Sequence, residues 1–421
     1  MAQTSAEQMR AWTGPALFSF GFRPFFLFGA LWVALAMLLW LAALAGVTEL
    51  PTRLDPISWH AHAFLFGYLG AVIAGFLLTA VPNWTGRLPM VGWRLAALFG
   101  LWVAGRVAVL TSALLPSGLA PLIDVAFPVV LGLMILREIV AGKNWRNLVV
   151  LALLAVFALA NLMFHIEAAS GDFAAQGYGL RLGVATVVMM IAVIGGRIIP
   201  SFTRNWLAGN GHDARPAPPM QRFDKACLVA SVPILGIWVS APASAVTAAG
   251  LAVFGLLHLA RLLRWRGQHT GGEALVWVLH LSYLMIPLGA FALAFEAAFG
   301  GLGAAAAQHV WMAGALGAMT LAVMTRATLG HTGQTLHANA ATVGLYLCLF
   351  GSVVLRLLAG SLPALLTLSG LLWIATFAGF TMTYGPLLMR PKQRKTYELA
   401  RLRRRIRRVL PDPFDPGAPR G

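Results

Sequence analysis

The sequence predicts an all-α, polytopic membrane protein of about twelve transmembrane helices. Hydrophobic residues fill 59% of the 421 positions and charged residues only 11%, against the roughly 25% charged content of an average soluble domain. Apolar runs of about 20 residues, the length that crosses a bilayer core, recur from Leu17 almost to Arg390 with short polar breaks. A four-helix pattern also repeats along the chain.

The runs place spans near 17–46, 57–81, 93–114, 119–141, 145–168, 178–202, 225–241, 243–263, 273–299, 304–327, 340–361 and 363–389. The first is too long for a signal peptide, carries Arg23 and Pro24 near its start, and lacks a small-residue cleavage site. It is expected to stay as a helix.

Orientation follows from lysine and arginine, which are retained on the cytoplasmic side of short loops. Loops after spans 2, 4, 6, 8 and 10 hold thirteen such residues, from Arg87 and Arg94 to Arg261, Arg264, Arg266 and Arg326, whereas the alternate loops offer Arg53 and Arg181. Both termini are therefore expected in the cytoplasm. The stretch from Arg390 to Arg408 carries ten basic residues and one acid, Glu398, and supplies much of the net charge of +17. A basic tail over 390–421 beside a last membrane helix reads as attracted to anionic lipid headgroups rather than nucleic acid. The two cysteines, Cys227 and Cys348, lie in separate helices and form neither a disulfide framework nor a thiolate cluster.

Shifting the chain by 247 residues lays His62, Gly67, Leu69, Gly70, Ala71, Ala80, Thr85 and Gly86 on His309, Gly314, Leu316, Gly317, Ala318, Ala327, Thr332 and Gly333. A shift of 118 brings Pro82 and Thr85 onto Pro200 and Thr203, and Arg197 then corresponds to Arg326. Spans 2, 6 and 10 are thus related. One transmembrane domain over 1–389 is expected, with repeats at about 17–141, 145–263 and 273–389 around a pseudo-threefold axis and sites between the units. The catalytic subunits of haem-copper oxidases are likewise twelve helices in three groups of four, an analogy of architecture that proves no chemistry.

Four histidines sit at one depth toward the expected periplasmic face: His60 and His62 begin span 2, His165 closes span 5 and His309 begins span 10. A buried imidazole needs a hydrogen-bond partner or a metal. Each alone reads equally well as an interhelical hydrogen-bonder; together the four point to metal, since neutral imidazole suits iron and copper. His60 and His62 are about 200° apart around a helix, so one helix would serve two sites. Because His62 and His309 are repeat equivalents, they are expected as axial ligands of one haem, leaving His60 and His165 for a second metal. His280 and His331, toward the opposite face, are the next haem candidates. Arg197 and Arg326 snorkel to the interface or bind haem carboxylates or an anionic substrate. Glu167, Asp124 and Glu296 are proton-route candidates, with interface exposure the plainer account.

Several segments resemble the NnrS family of haem- and copper-containing membrane proteins, associated with bacterial nitric oxide metabolism and resistance to nitrosative stress. They are FGFRPFFLFGA at 20–30, WHAHAFLFGYLGAVIAGFLLTAVPNWTG at 59–86, GGRIIPSFT at 195–203, VMTRATLGHTG at 323–333, HLARLLRW at 258–265 and LHLSYLMIPLG at 279–289. Singly these are weak; their shared order carries the resemblance. It implies haem of b type, copper, nitric oxide as ligand and a place in the bacterial inner membrane. An enzyme that reduces or removes nitric oxide and a protein that senses or sequesters it both remain open, with a transporter ranked third. No C-x-x-C-H haem-attachment motif occurs, so the enzyme reading needs electrons from quinol or a separate cytochrome.

Overall fold

The computed structural model describes residues 12–360 and 362–391. Most of the basic tail read at 390–421 lies outside the described residues. Among the described residues there are twelve helices long and apolar enough to span a bilayer. They are α1 (Phe22–Leu44), α2 (Pro56–Thr85), α3 (Trp93–Leu110), α4 (Leu119–Ala141), α5 (Trp145–Ala169), α6 (Tyr178–Gly209), α7 (Arg222–Ser240), α8 (Ala245–Leu263), α9 (Ala274–Phe299), α10 (Ala304–Thr332), α11 (Ala340–Leu358) and α12 (Ala364–Met389). No strand occurs among the described residues. The chain is a multi-pass membrane protein.

Helices α2, α6 and α10 run a few residues past the expected ends at 81, 202 and 327. Hydropathy falls at polar residues such as Asn83, Arg204 and Arg326, but the i→i−4 ladder continues until something stops it. In α2 and α10 that is glycine: Gly86 and Gly333 adopt φ of 69° and 87°, the left-handed geometry that closes a helix without a Cβ clash. His331 consequently lies in the last turn of α10. The opposite end of α2 is set by Asp55, whose carboxylate accepts from the Ile57 and Ser58 amides at 3.0 and 2.9 Å, with Pro56 at the first helical position. The end of the bundle holding the α1–α2 loop is called upper here, and the end holding the α2–α3 loop lower.

Helices α2, α6 and α10 touch one another and are the most enclosed, with 78% of the residues in their apolar stretches buried against 33–61% elsewhere. The remaining helices surround them, and α12 packs on α1 to close the ring. Outward faces are apolar, as Leu31, Leu35 and Leu38 of α1 illustrate. Exposed Trp93 and Trp145 at the lower starts of α3 and α5 occupy the headgroup level that indole rings favour. Arg23 is 3% exposed. It donates to the Leu388 and Arg390 carbonyls at 2.8 and 2.6 Å, so the arginine that interrupts the first apolar run caps the lower end of α12.

The α2 and α10 helices share a second feature. Each widens into a π-helical turn immediately after its repeat-equivalent histidine, over Ala63–Tyr68 and Val310–Gly317. Such turns leave backbone groups without regular partners and recur at functional positions. In α2 the indoles of Trp32 and Trp102 donate to the Ala63 and Gly67 carbonyls at 3.0 and 2.9 Å.

Close helix approach depends on particular glycines. A Cβ on Gly179 would lie 2.3 Å from the Phe164 backbone nitrogen and 2.8 Å from the Ala160 carbonyl oxygen. Backbone cannot swing aside as a side chain can, so Gly179→Ala must separate α5 from α6, an overpacking cost of about 1–3 kcal/mol. The expected result is a lower unfolding midpoint of the purified protein in detergent. Gly209→Ala, where the added atom meets open space, serves as the control and should leave the midpoint within error.

Candidate metal centres

Two clusters of polar side chains lie near the upper end, and α2 supplies one histidine to each. The first gathers on Asp124, which is 1% exposed on α4. Its Oδ2 lies 3.0 Å from His62 Nε2 and 2.9 Å from His165 Nε2, and it accepts from Asn161 Nδ2 at 2.9 Å. Asn161 Oδ1 faces His62 Nε2 at 3.0 Å. Asp124 Oδ1 pairs with the Arg106 guanidinium from α3. Asn161 and His165 are four residues apart on α5, hence on one face of that helix. The Arg106–Asp124 pair cancels its own charge and leaves two imidazoles and a carboxylate converging, with ligand atoms all within 4.8 Å of one another.

This donor set suits a small metal ion. Tetrahedral bonds of about 2.1 Å separate ligand atoms by roughly 3.4 Å, between the imidazole–carboxylate distances of 3.0 and 2.9 Å and the 4.8 Å within which the whole group lies. Arg106 and Asn161 would then hold the ligands from behind, the usual outer arrangement of metal sites.

The second cluster lies on the opposite side of α2. His60 and His309 face each other with ring planes 9° apart and centroids separated by 6.4 Å. The His309 Nδ1–H donates to the Ala305 carbonyl at 2.6 Å, which leaves its Nε2 as a ligand atom. His60 Nδ1 is buried without a partner, and the ring stacks on Trp40 at 4.3 Å. Both histidines line a pocket walled by Met37, Phe64, Met312 and Trp373 and bearing Arg356. Two imidazoles bonded from opposite sides to one metal through bonds of about 2.0 Å have ring centres at about this separation. An apolar, aromatic slot with two parallel imidazoles and one arginine fits a haem.

The partners expected from repeat equivalence are therefore exchanged: His62 meets His165, and His60 meets His309. Equivalence in a repeat relates environments, not contacts, so His62 and His309 each turn toward their own interface. The 200° between His60 and His62 then sends His60, not His62, toward α10.

The other expected residues are dispersed. Glu167 accepts from the Tyr178 and Gly179 amides at 2.7 and 3.1 Å and caps α6; Glu296 accepts from Leu302 and Gly303, both at 2.9 Å. Both carboxylates are thus engaged with backbone at the upper surface. His280 bonds the Thr203 hydroxyl at 2.7 Å, whereas His331 lies against Phe20 and Phe22. Arg197 reaches Asn147 at 3.2 Å, and Arg326 lies over the Phe202 ring at 4.1 Å.

Two groupings were not foreseen. Asn161 completes the Asp124 cluster, and its i, i+4 spacing from His165 in an otherwise apolar run was the signal for it. Toward the lower end, Arg261 is fully buried and bonds Asp224 at 2.8 Å and the Tyr283 hydroxyl at 3.0 Å. His258 beside it bonds Ser231 at 3.0 Å and Tyr283 at 2.8 Å, a satisfied interhelical hydrogen-bonder.

A family model, that of the NnrS protein, matches residues 16–392. The chain belongs to the NnrS family. That membership ties it to a nitric oxide-related function. No curated protein matches the chain.

Proposed function

We propose that this NnrS protein is a haem- and copper-containing protein of the bacterial inner membrane that binds and removes nitric oxide. The observation that carries the reading is one helix, α2, presenting His60 and His62 to two separate imidazole pairs at one depth. Haem, expected as b type, is assigned to His60 and His309, with Arg356 available to its carboxylates. Copper is assigned to His62, His165 and Asp124. When bound, the two metals would supply the redox chemistry, and the site of His62, His165 and Asp124 would take nitric oxide. The chain orients the imidazoles, holds Asp124 charged through Arg106 and keeps bulk water out with Trp40, Phe64 and Trp373.

Three four-helix units around the α2, α6 and α10 core belong to the same reading. They are supported by the matched π-helical turns and glycine caps of α2 and α10. Each metal site then lies between units: His62 and Asp124 precede His165 by one unit, and His309 closes on His60 across the first and third. The likeness to haem-copper oxidase subunits remains one of architecture. Cytoplasmic termini rest on the distribution of arginine and lysine, and reduction of nitric oxide requires an electron donor, quinol or a cytochrome.

The ligand assignment is tested by the visible spectrum and haem content of single variants. His60→Ala and His309→Ala are each expected to abolish or shift the haem bands, because each removes one of the two imidazoles that would hold the haem. His62→Ala should keep them. Wild-type haem in His60→Ala, with loss in both His62→Ala and His309→Ala, would restore the pairing by repeat equivalence.

A further inference from the structure

The lower half of the molecule contains a cavity that the two metal centres do not use. It lies between α1, α2, α6, α9 and α10. It shares Phe76, Ile198 and Val323 with an apolar cavity between α2, α6 and α10. Its walls are aromatic in large part, with Phe26, Phe76, Trp84 and Phe202.

Its polar groups have unspent capacity. Arg326 lies flat over Phe202, and no described residue accepts a hydrogen bond from its guanidinium. Asn83 donates to the Thr79 carbonyl at 3.2 Å, which leaves its side-chain oxygen free to accept. The Thr79 hydroxyl is spent on Gly75 at 2.8 Å. The cavity therefore offers donors and an acceptor between flat apolar walls. Arg326 lies six residues from Thr332, so about 9 Å above the lower end of α10.

The charge of Arg326 selects among ligands. The Glu273 carboxylate acts on it through space while accepting from the Leu275 and Ala338 amides and from His337. Arg326 thus has a counter-charge but lacks a hydrogen-bond acceptor. A neutral head with an oxygen acceptor completes this site better than a phosphate or carboxylate, which would place a second negative charge beside Glu273.

We propose that this cavity binds the ring of a membrane quinone, with Arg326 donating to a ring oxygen and the aromatic walls holding the ring faces. A quinol carries both a hydroxyl donor for Asn83 and an oxygen acceptor for Arg326. The purpose of such a site, electron supply, rests on the proposed function; the binding itself does not.

The test is equilibrium binding of decylubiquinone and menadione to purified, metal-stripped protein in detergent. Metal-free protein is chosen so that a wrong metal assignment cannot affect the outcome. Saturable binding at one site per chain is expected, weakened tenfold or more in Arg326→Gln and in Phe202→Ala, and unchanged in Arg197→Gln. Size-exclusion profiles verify that each variant is folded; should Arg326→Gln fail, Arg326→Lys keeps the charge and loses the planar fork, with the same direction expected. Absence of saturable quinone binding, equal affinity in folded Arg326 variants, or occupation by phosphatidylglycerol that quinone does not displace would overturn the proposal.

Discussion

Arg106→Met is expected to destabilise the protein by about 3–5 kcal/mol, the usual cost of breaking a buried ion pair from one side. Arg106 and Asp124 are 3% and 1% exposed. Without the guanidinium, the Asp124 carboxylate keeps only neutral donors from His62, His165 and Asn161. The loss is in uncompensated charge, not in packing, so removing the charge at Asp124 as well should recover much of it. The double variant Arg106→Met, Asp124→Asn is therefore expected to unfold at a higher temperature than Arg106→Met alone. This coupling is what a double-mutant cycle measures for groups in direct contact. Additive losses in the cycle would show that Arg106 acts by filling space beside Gly67 and not by holding Asp124.

The energetics of this pair bear on function because the same carboxylate orients both imidazoles. Charge on the shared Asp124 Oδ2 strengthens both of its imidazole hydrogen bonds. The π-helical turn after His62 serves the same arrangement. A Cβ on Gly67 would lie 2.6 Å from an Arg106 nitrogen, so the guanidinium passes over a glycine that lies within this turn. Trp32 and Trp102 tie down the carbonyls there. The histidine, the widened turn and the arginine form one packed unit, reaching from backbone irregularity to ligand geometry.

The spans were legible in the sequence because a bilayer imposes one strong constraint: each crossing needs an unbroken apolar stretch with its backbone satisfied internally. Hence all twelve helices lie close to where apolar runs placed them, with the largest extensions at the lower ends of α2, α6, α7 and α10. The histidines were legible for the same reason, since polar residues stand out in apolar runs. Their partners were not. Facing is decided by helix rotation and by the π-helical turns, neither of which leaves a mark in hydropathy. Counting arginines by loop likewise hid Arg23 and Arg261. Both sit beside helix ends in the chain yet are buried, because Arg23 is drawn to the free carbonyls of α12 and Arg261 to Asp224. Asp124, one of three acids near the upper ends, could be told from Glu167 and Glu296 only by structure. The latter two answer backbone amides close in sequence, whereas Asp124 answers side chains from three other helices.

Loss of copper with retention of haem is the expected result for His62→Ala and for His165→Ala, since these side chains belong to the Asp124 cluster and not to the His60–His309 pocket. Asn161→Ala, which removes a supporting hydrogen bond and no ligand, should weaken copper binding by about 10–100-fold, the range seen for outer-shell partners. Anaerobic consumption of nitric oxide with an artificial electron donor should fall at least 100-fold in the two histidine variants while their haem bands stay unchanged. The ordering is the discriminating feature: a purely structural cluster would give three variants that lose stability together and metal not at all. A site that binds copper but only stores or senses nitric oxide would show the copper losses without any consumption in fully metallated wild type, whatever donor is supplied. Because α2 presents His60 and His62 on opposite faces, a change at His62 leaves His60 in place. On the proposed assignment the two metals are therefore expected to be lost one at a time, so that the contribution of each to nitric oxide binding is read separately.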